Sequence, residues 1–280
     1  MSTLVPPLFA GLVDDASVLP PGITRVPEAA SSFGKHLTSW YADLLGTLLL
    51  PSSVVDLEVP PPGLPIGVVN DVAIAALPAA VGKLRGAGAV LRQIEAAVAR
   101  RGEDPQPGLL ELRRLAAEHD LEVYAEIPLS WGLLAALDTV AGARGEGLRF
   151  GAKFRIGGLA AELFPTPVEL AAVICACRDR ALPFKLAAGL RHALRRTDPE
   201  TGFTHHGFVN VLVASLVAVD GAEVAEVAEV LAATHPLPLV EPARAARDRP
   251  RPLWAGFGVA SVLEPLTELI RLGLIDGGYE

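Results

Sequence analysis

Lysine is sparse in this chain of 280 residues: Lys35, Lys83, Lys153 and Lys185 stand against twenty arginines. Cysteine is sparser still. Cys175 and Cys177 lie two apart on a predicted helix, a spacing that makes a poor disulfide, and no partner cluster completes a zinc site. They read as small apolar side chains and fit a reducing compartment. Positive charge is also short. The net charge of −8 and the small, acid-mixed arginine groups argue against nucleic acid as a partner. The longest apolar run, near 208–219, is interrupted by Asn210 and Ser215 and falls short of the roughly 20 residues that cross a bilayer, so no membrane partner is expected. MSTLVPPLF carries no basic segment leading into a long apolar run, so no signal peptide is read and a cytoplasmic location is expected. No G-x-G-x-x-G follows the first strand, which weighs against an open dinucleotide-binding sheet.

What is present is apolar sequence in short pieces. Half of the residues are hydrophobic, enough for a sizeable core, and this content makes a homodimer plausible through helix faces buried between subunits. Eight strand-like segments can be read: LFAGLVDD (8–15), TLLLP (47–51), LPIGVVND (64–71), GAVLRQIEAAV (88–98, which fits a helix as well), LEVYAEIP (121–128), LRFGAKFRIGG (148–158), LPFKLAAGL (182–190) and LWAGFGVAS (253–261). Helical patterns separate nearly all of them: 26–45, 72–85, LLELRRLAAEHD, SWGLLAALDTVAG with Ser130 as its cap, PVELAAVICACRDRA capped by Thr166, 208–234 and VLEPLTELIRLG. The stretch 236–252 reads as a surface loop or short helix. Continuous apolar strands alternating with helices indicate a parallel sheet covered on both faces, and eight such units in this length predict an α/β fold, a single (β/α)8 barrel domain spanning 1–280. The long irregular segment 191–207 is expected over its C-terminal mouth.

Strand alternation assigns faces. In GAKFRIG, Ala152, Phe154 and Ile156 turn to the helices and Lys153 and Arg155 to the barrel interior. Lys185 points inward on the next strand, as Tyr124 and Glu126 do on theirs. Glu95 shares the face of Leu91 and Gln93. Asp14 or Asp15 reaches the mouth from the first strand, and Asn70 or Asp71 from the third. The charged groups thus converge near the strand C-termini, where barrel enzymes place their active sites. The plain alternative is an ion-pair network filling the barrel, Lys153 to Glu126 for instance.

The two lysine strands resemble those of class I aldolases of the deoxyribose-phosphate aldolase type. Lys153 is followed by Gly157, and Lys185 by Gly189 and Arg191, on strands that count as sixth and seventh; GFGVAS offers Gly258 and Ser261 to a terminal phosphate loop. The resemblance implies a lyase that forms a Schiff base, on Lys153, with a small carbonyl compound, phosphorylated or not, and needs neither metal nor cofactor. This chain departs from the pattern at Phe154 and Arg155, where hydroxyl-bearing residues usually follow. LVDDASVLPPG and PFKLAAGLRH also resemble an uncharacterised bacterial protein family.

The chemistry has its own logic. A lysine attacks a carbonyl only when neutral, and a second ammonium nearby lowers its pKa. Lys153, Lys185, Glu126, Glu95 and Asp15 are therefore the catalytic candidates, the carboxylates as proton shuttles. Asp14, Asn70, Arg155, Gly189, Arg191, His192, His206, Asn210, Gly258 and Ser261 are the substrate-binding candidates. The 191–207 loop reads as a lid carrying His206, as a metal site with His192, or as a plain solvent-facing segment. Alternatives to the lyase are an isomerase, epimerase or decarboxylase using the lysines as base and electrostatic clamp, a metal-dependent hydrolase, and a barrel that only binds.

Overall fold

The computed structural model describes residues 4–277 except 21 and 56. Residues 1–3, part of the stretch read for a leader, lie outside them. Eight parallel strands close into a barrel. They are β1 (Val13–Asp15), β2 (Leu45–Pro51), β3 (Pro65–Asn70), β4 (Val90–Ala97), β5 (Glu122–Glu126), β6 (Phe150–Arg155) and β7 (Phe184–Ala187). A small antiparallel hairpin, β8 (Arg196–Thr197) with β9 (Thr204–His205), precedes the last barrel strand, β10 (Trp254–Val259), which joins β7 to β1. The chain is a (β/α)8 barrel, as the alternation of strands and helices predicted.

The helices are α1 (Val26–His36), a single turn α2 (Ser52–Val55), α3 (Leu77–Gly86), α4 (Gln106–His119), α5 (Leu133–Gly145), α6 (Pro167–Asp179), α7 (Phe208–Val219), α8 (Val224–Ala232), α9 (Leu237–Ala245) and α10 (Leu263–Arg271). The Thr166 cap is present: its hydroxyl accepts from the Glu169 amide while Glu169 accepts from the Thr166 amide. Three expectations change. The 26–45 pattern stops being helical at His36. The 208–234 segment breaks into α7 and α8 around Gly221, at φ 101°, a left-handed turn that glycine takes without strain. Ser130 does not cap α5; Gly132, at φ 84°, stands at that position, and the buried Ser130 hydroxyl has no hydrogen-bond partner among the described residues.

Two shells of side chains follow from the alternation. Val13, Leu48, Ile94, Ala125, Phe154 and Leu186 face outward and join the helices in one continuous apolar core. Leu49 and Tyr124 are buried but stand apart from that core, inside the barrel. Two inward glycines make room for them. A Cβ on Gly151 would sit 2.8 Å from the Tyr124 ring and 2.9 Å from the Pro183 carbonyl oxygen; one on Gly67 would sit 2.6 Å from Leu49. The β3–β4 register shifts between Leu91 and Gln93. Leu91 therefore packs with the outer core rather than on the face of Gln93 and Glu95, because the extra residue, Arg92, reverses the alternation there.

Arg251 closes the N-terminal end of the barrel. It donates to the carbonyls of Leu8 (2.9 Å), Ala10 (3.0 Å), Trp254 (2.6 Å) and Ala255 (2.9 Å). Burial pushes its guanidinium down to about 10. Gly151→Ala is expected to destabilise the barrel by roughly 1–3 kcal/mol, since its methyl meets both a ring and a backbone carbonyl. Urea denaturation of this variant beside an exposed control, Gly142→Ala, where a Cβ meets open space, measures the difference.

Candidate functional site

The inward charges meet on one carboxylate. Lys153 and Lys185 are in-register neighbours on β6 and β7, and β4, two strands beyond β6, supplies Glu95. Lys153 Nζ lies 2.9 Å from Glu95 Oε2 and Lys185 Nζ lies 2.7 Å from Glu95 Oε1. Each ammonium holds a second acid: Lys153 reaches Glu126 Oε2 at 2.8 Å, and Lys185 pairs closely with Asp14 Oδ2. Arg155 Nε donates to the other Glu126 oxygen at 3.1 Å. The result is an alternating row, Asp14, Lys185, Glu95, Lys153, Glu126, Arg155, with three acids balancing three bases.

Burial grades along this row. The Lys185, Glu95, Lys153 and Asp14 side chains are 4–6% exposed, Glu126 is 16% and Arg155 is 50%. The row thus begins deep in the barrel and surfaces at the C-terminal end of β6. Neutral groups brace its deep end. Asp14 Oδ1 accepts from the Thr47 amide (2.7 Å) and hydroxyl (3.0 Å). Gln93 Nε2 faces Asp14 Oδ2 (3.3 Å), Thr47 Oγ1 (3.1 Å) and Glu95 Oε1 (3.1 Å). The Tyr124 ring lies under Lys185, 5.3 Å from Nζ to its centroid. Thr47 was absent from the sequence candidates and Gln93 appeared only as a neighbour of Glu95. Their inward alternation was the one available signal.

The electrostatics run opposite to the expectation for a charge-lowered amine. Burial would push both lysines down, but Glu95 with Glu126 around Lys153, and Asp14 with Glu95 around Lys185, outweigh it and hold both above the ordinary lysine value. The physical reason is that a carboxylate, not open space, separates the two ammonium groups. Burial likewise favours the protonated form of Glu95 and Glu126, yet the cations beside them keep both below the usual carboxylate range.

The other candidates are distributed around the rim or away from it. Asp14, not Asp15, reaches the lysines. Asp15 is in register with Leu48 on the outward face and accepts from the Ser17 amide at 2.9 Å. Asn70 accepts from Ser52, whose hydroxyl also donates to Asp71, so both acceptors tie the loop after β3 to α2. Gly189, at φ 81°, packs its backbone on Gly157, and its carbonyl faces His205 Nδ1 at 3.1 Å. Arg191 is exposed. His192 Nδ1 faces Glu268 at 3.2 Å, and Glu268 also accepts from the Ala193 amide. His206 is buried between the Pro165 carbonyl (2.8 Å) and Arg195 (3.2 Å). Asn210 accepts from the Arg195 amide and donates to the Val230 and Ala233 carbonyls. These contacts pin the 191–207 segment: the β8–β9 hairpin docks on the loop after β6 by stacking Phe203 on Phe164, with centroids 4.6 Å apart. Gly258 is in register with Asp14, and Ser261 follows just before α10.

Among the described residues no group of three or more His, Cys, Asp or Glu side chains is arranged to hold a metal ion, and no helix is long and apolar enough to cross a membrane. Two surface hollows, of about 370 and 430 Å³, lie away from the lysines, one at Leu110 and Arg113, the other at Pro6 and Arg247. The interest of the barrel interior therefore rests on side-chain geometry. The chain matches no model of a known protein family, no curated protein and no solved structure.

Protonation sets a pH window for stability. Burial first, and Arg195 next to it, bring His206 down to about 4 from 6.5, so the folded chain binds its proton less readily than the unfolded one. Stability is expected to fall as pH drops from about 6.5 to 4. Below that, Glu95 and Glu126 take over: their contribution is present above about 4.5 and lost as pH falls through their depressed folded values. The lysine contribution is full below 10.5 and is lost only at more alkaline pH. Denaturation across pH 4–8 checks the first limb, which His206→Gln, retaining a donor for Pro165, should flatten.

Proposed function

We propose that the chain is a lysine-dependent lyase acting on a small carbonyl compound through a Schiff base on Lys153. One observation carries this reading: two buried lysines on adjacent strands share one carboxylate, and the outer of them, Lys153, touches the partly exposed acid Glu126. Lys153 passes its proton to Glu126 along their 2.8 Å contact and attacks the carbonyl carbon with the freed electron pair. The oxygen leaves as water, taking one proton from the nitrogen and one back from Glu126, and an iminium remains. The bond between the α and β carbons then breaks, its electrons drawn into the iminium, as the β-hydroxyl gives its proton to a carboxylate and becomes the carbonyl of the departing fragment. Lys185 stays charged and keeps Glu95 ionised.

The raised pKa of both ammonium groups favours a second reading, in which neither is deprotonated. Lys153 then stabilises an enolate and Glu126 moves the proton, as an isomerase, epimerase or decarboxylase requires. The same closed ion pairs also suit a barrel that binds without turnover.

Borohydride separates these. With substrate present, the Schiff-base enzyme is expected to be trapped irreversibly, with the added mass on the Lys153 peptide, and Lys153→Arg should lose activity by on the order of 10⁴-fold. Turnover that borohydride leaves intact selects the enolate reading. Survival of activity in Lys153→Arg sinks the lyase proposal.

A further inference from the structure

Arg155 is the one end of the charge row that is incompletely used. Its Nε is committed to Glu126 at 3.1 Å, while among the described residues its two terminal nitrogens have no partner, and half of the side chain is exposed. It stands two residues beyond Lys153 on the same inward face, so it lies one pleat nearer the mouth. A guanidinium with both terminal N–H groups uncommitted is a ready fork for a carboxylate or phosphate.

Spacing decides between those anions. Lys153 Nζ and Arg155 Nε sit on the two oxygens of the same Glu126 carboxylate, at 2.8 and 3.1 Å. An anion held by Arg155 therefore lies at the same mouth as the amine, and suits a substrate in which a short link joins it to the reacting carbonyl. A carboxylate directly on the carbonyl meets that condition. A phosphate ester at the far end of a sugar does not. Among the described residues the strand positions in register here carry no hydroxyl: Ala97 pairs with Glu126, Ala187 with Arg155 and Val69 with Glu95, and one pleat deeper Leu49 abuts Gly258. A polyhydroxylated chain would find few partners there, whereas an alkyl group would lose little.

We propose that the substrates are 4-hydroxy-2-oxo acids with an otherwise short apolar chain, cleaved to a 2-oxo acid and an aldehyde or formed from them, the carboxylate held by the terminal nitrogens of Arg155 and the keto carbon presented to Lys153. This rests on the Schiff-base reading for its chemistry, but the carboxylate site can be tested apart from it.

The full chain is incubated with borohydride and, in parallel, 2-oxobutanoate, 2-oxopentanoate, 2-butanone and glyceraldehyde 3-phosphate, and the Lys153 peptide is weighed. Labelling is expected at lower concentration with the two oxo acids. Arg155→Leu should raise their half-saturation by roughly 10–100-fold, the loss of a charge-assisted pair, and Arg155→Lys should restore part of it. Labelling by 2-butanone or glyceraldehyde 3-phosphate at equal or lower concentration overturns the oxo-acid inference and leaves the Schiff-base reading standing. If nothing labels, calorimetry with the unreactive 2-hydroxybutanoate decides: binding to the wild type that weakens in Arg155→Leu keeps the carboxylate site and removes the Schiff base, while absence of binding removes both.

Discussion

The interior of this barrel depends on one carboxylate held between two ammonium groups. Without Glu95, Lys153 and Lys185 would be like charges on adjacent buried strands, each with a single acid, and the row would carry one uncompensated positive charge. With it, each lysine has two acids, each acid has at least one cation, and the row carries no net charge. Removing one member of such a buried set is costly, typically 3–5 kcal/mol, because its partner stays behind uncompensated. Replacing the whole set by apolar side chains would cost far less. An interior of this kind is therefore an expensive way to fill a barrel, and its geometry at the mouth is a better account of it than stability is.

The rest of the fold is arranged so that this row can exist. Outward residues of every barrel strand seal against the helices, so the polar interior does not have to supply the core. Arg251 ties four backbone carbonyls together at the floor. Thr47 and Gln93 then fix Asp14 and Glu95 from the sides, with neutral donors that orient the acids without adding charge. Burial and bracing therefore decrease from Asp14 toward Arg155, and the groups exposed to a ligand are those at the mouth.

The barrel and its most important faces were legible because two-residue alternation is strict wherever one side of a strand must be apolar. Lys153, Arg155, Lys185, Tyr124 and Glu126 all point where Phe154, Phe184, Leu186 and Ala125 force them to. The choice between Asp14 and Asp15 was not legible, since both end a three-residue strand and only pairing with β2 and β10 decides it. Leu91 was misassigned because a single extra residue in β4 changes face without a mark in composition. The histidines misled for a different reason. His206 and Asn210 look like chemistry in a sequence, but their partners are Arg195 and the Pro165, Val230 and Ala233 carbonyls, the last three contributed by residues 20–41 positions away. Nothing local distinguishes a side chain that binds substrate from one that pins a loop.

The raised lysine pKa does not by itself prevent amine chemistry. It describes release of a proton to water, which would leave Glu95 and Glu126 facing one cation fewer. Transfer from Lys153 to Glu126 is a different process: donor and acceptor are 2.8 Å apart, and the net charge of the row is unchanged. Its cost is the difference between a charged and a neutral pair in the same place, and that difference shrinks when an anion sits on the terminal nitrogens of Arg155, because its charge offsets the guanidinium and Glu126 then holds its proton more readily. An anionic substrate arriving at Arg155 would thus help to produce the neutral amine that attacks it, so binding and activation would be one event. A neutral carbonyl compound entering the same mouth would leave the Arg155 charge bearing undiminished on Glu126, Glu126 ionised and Lys153 charged.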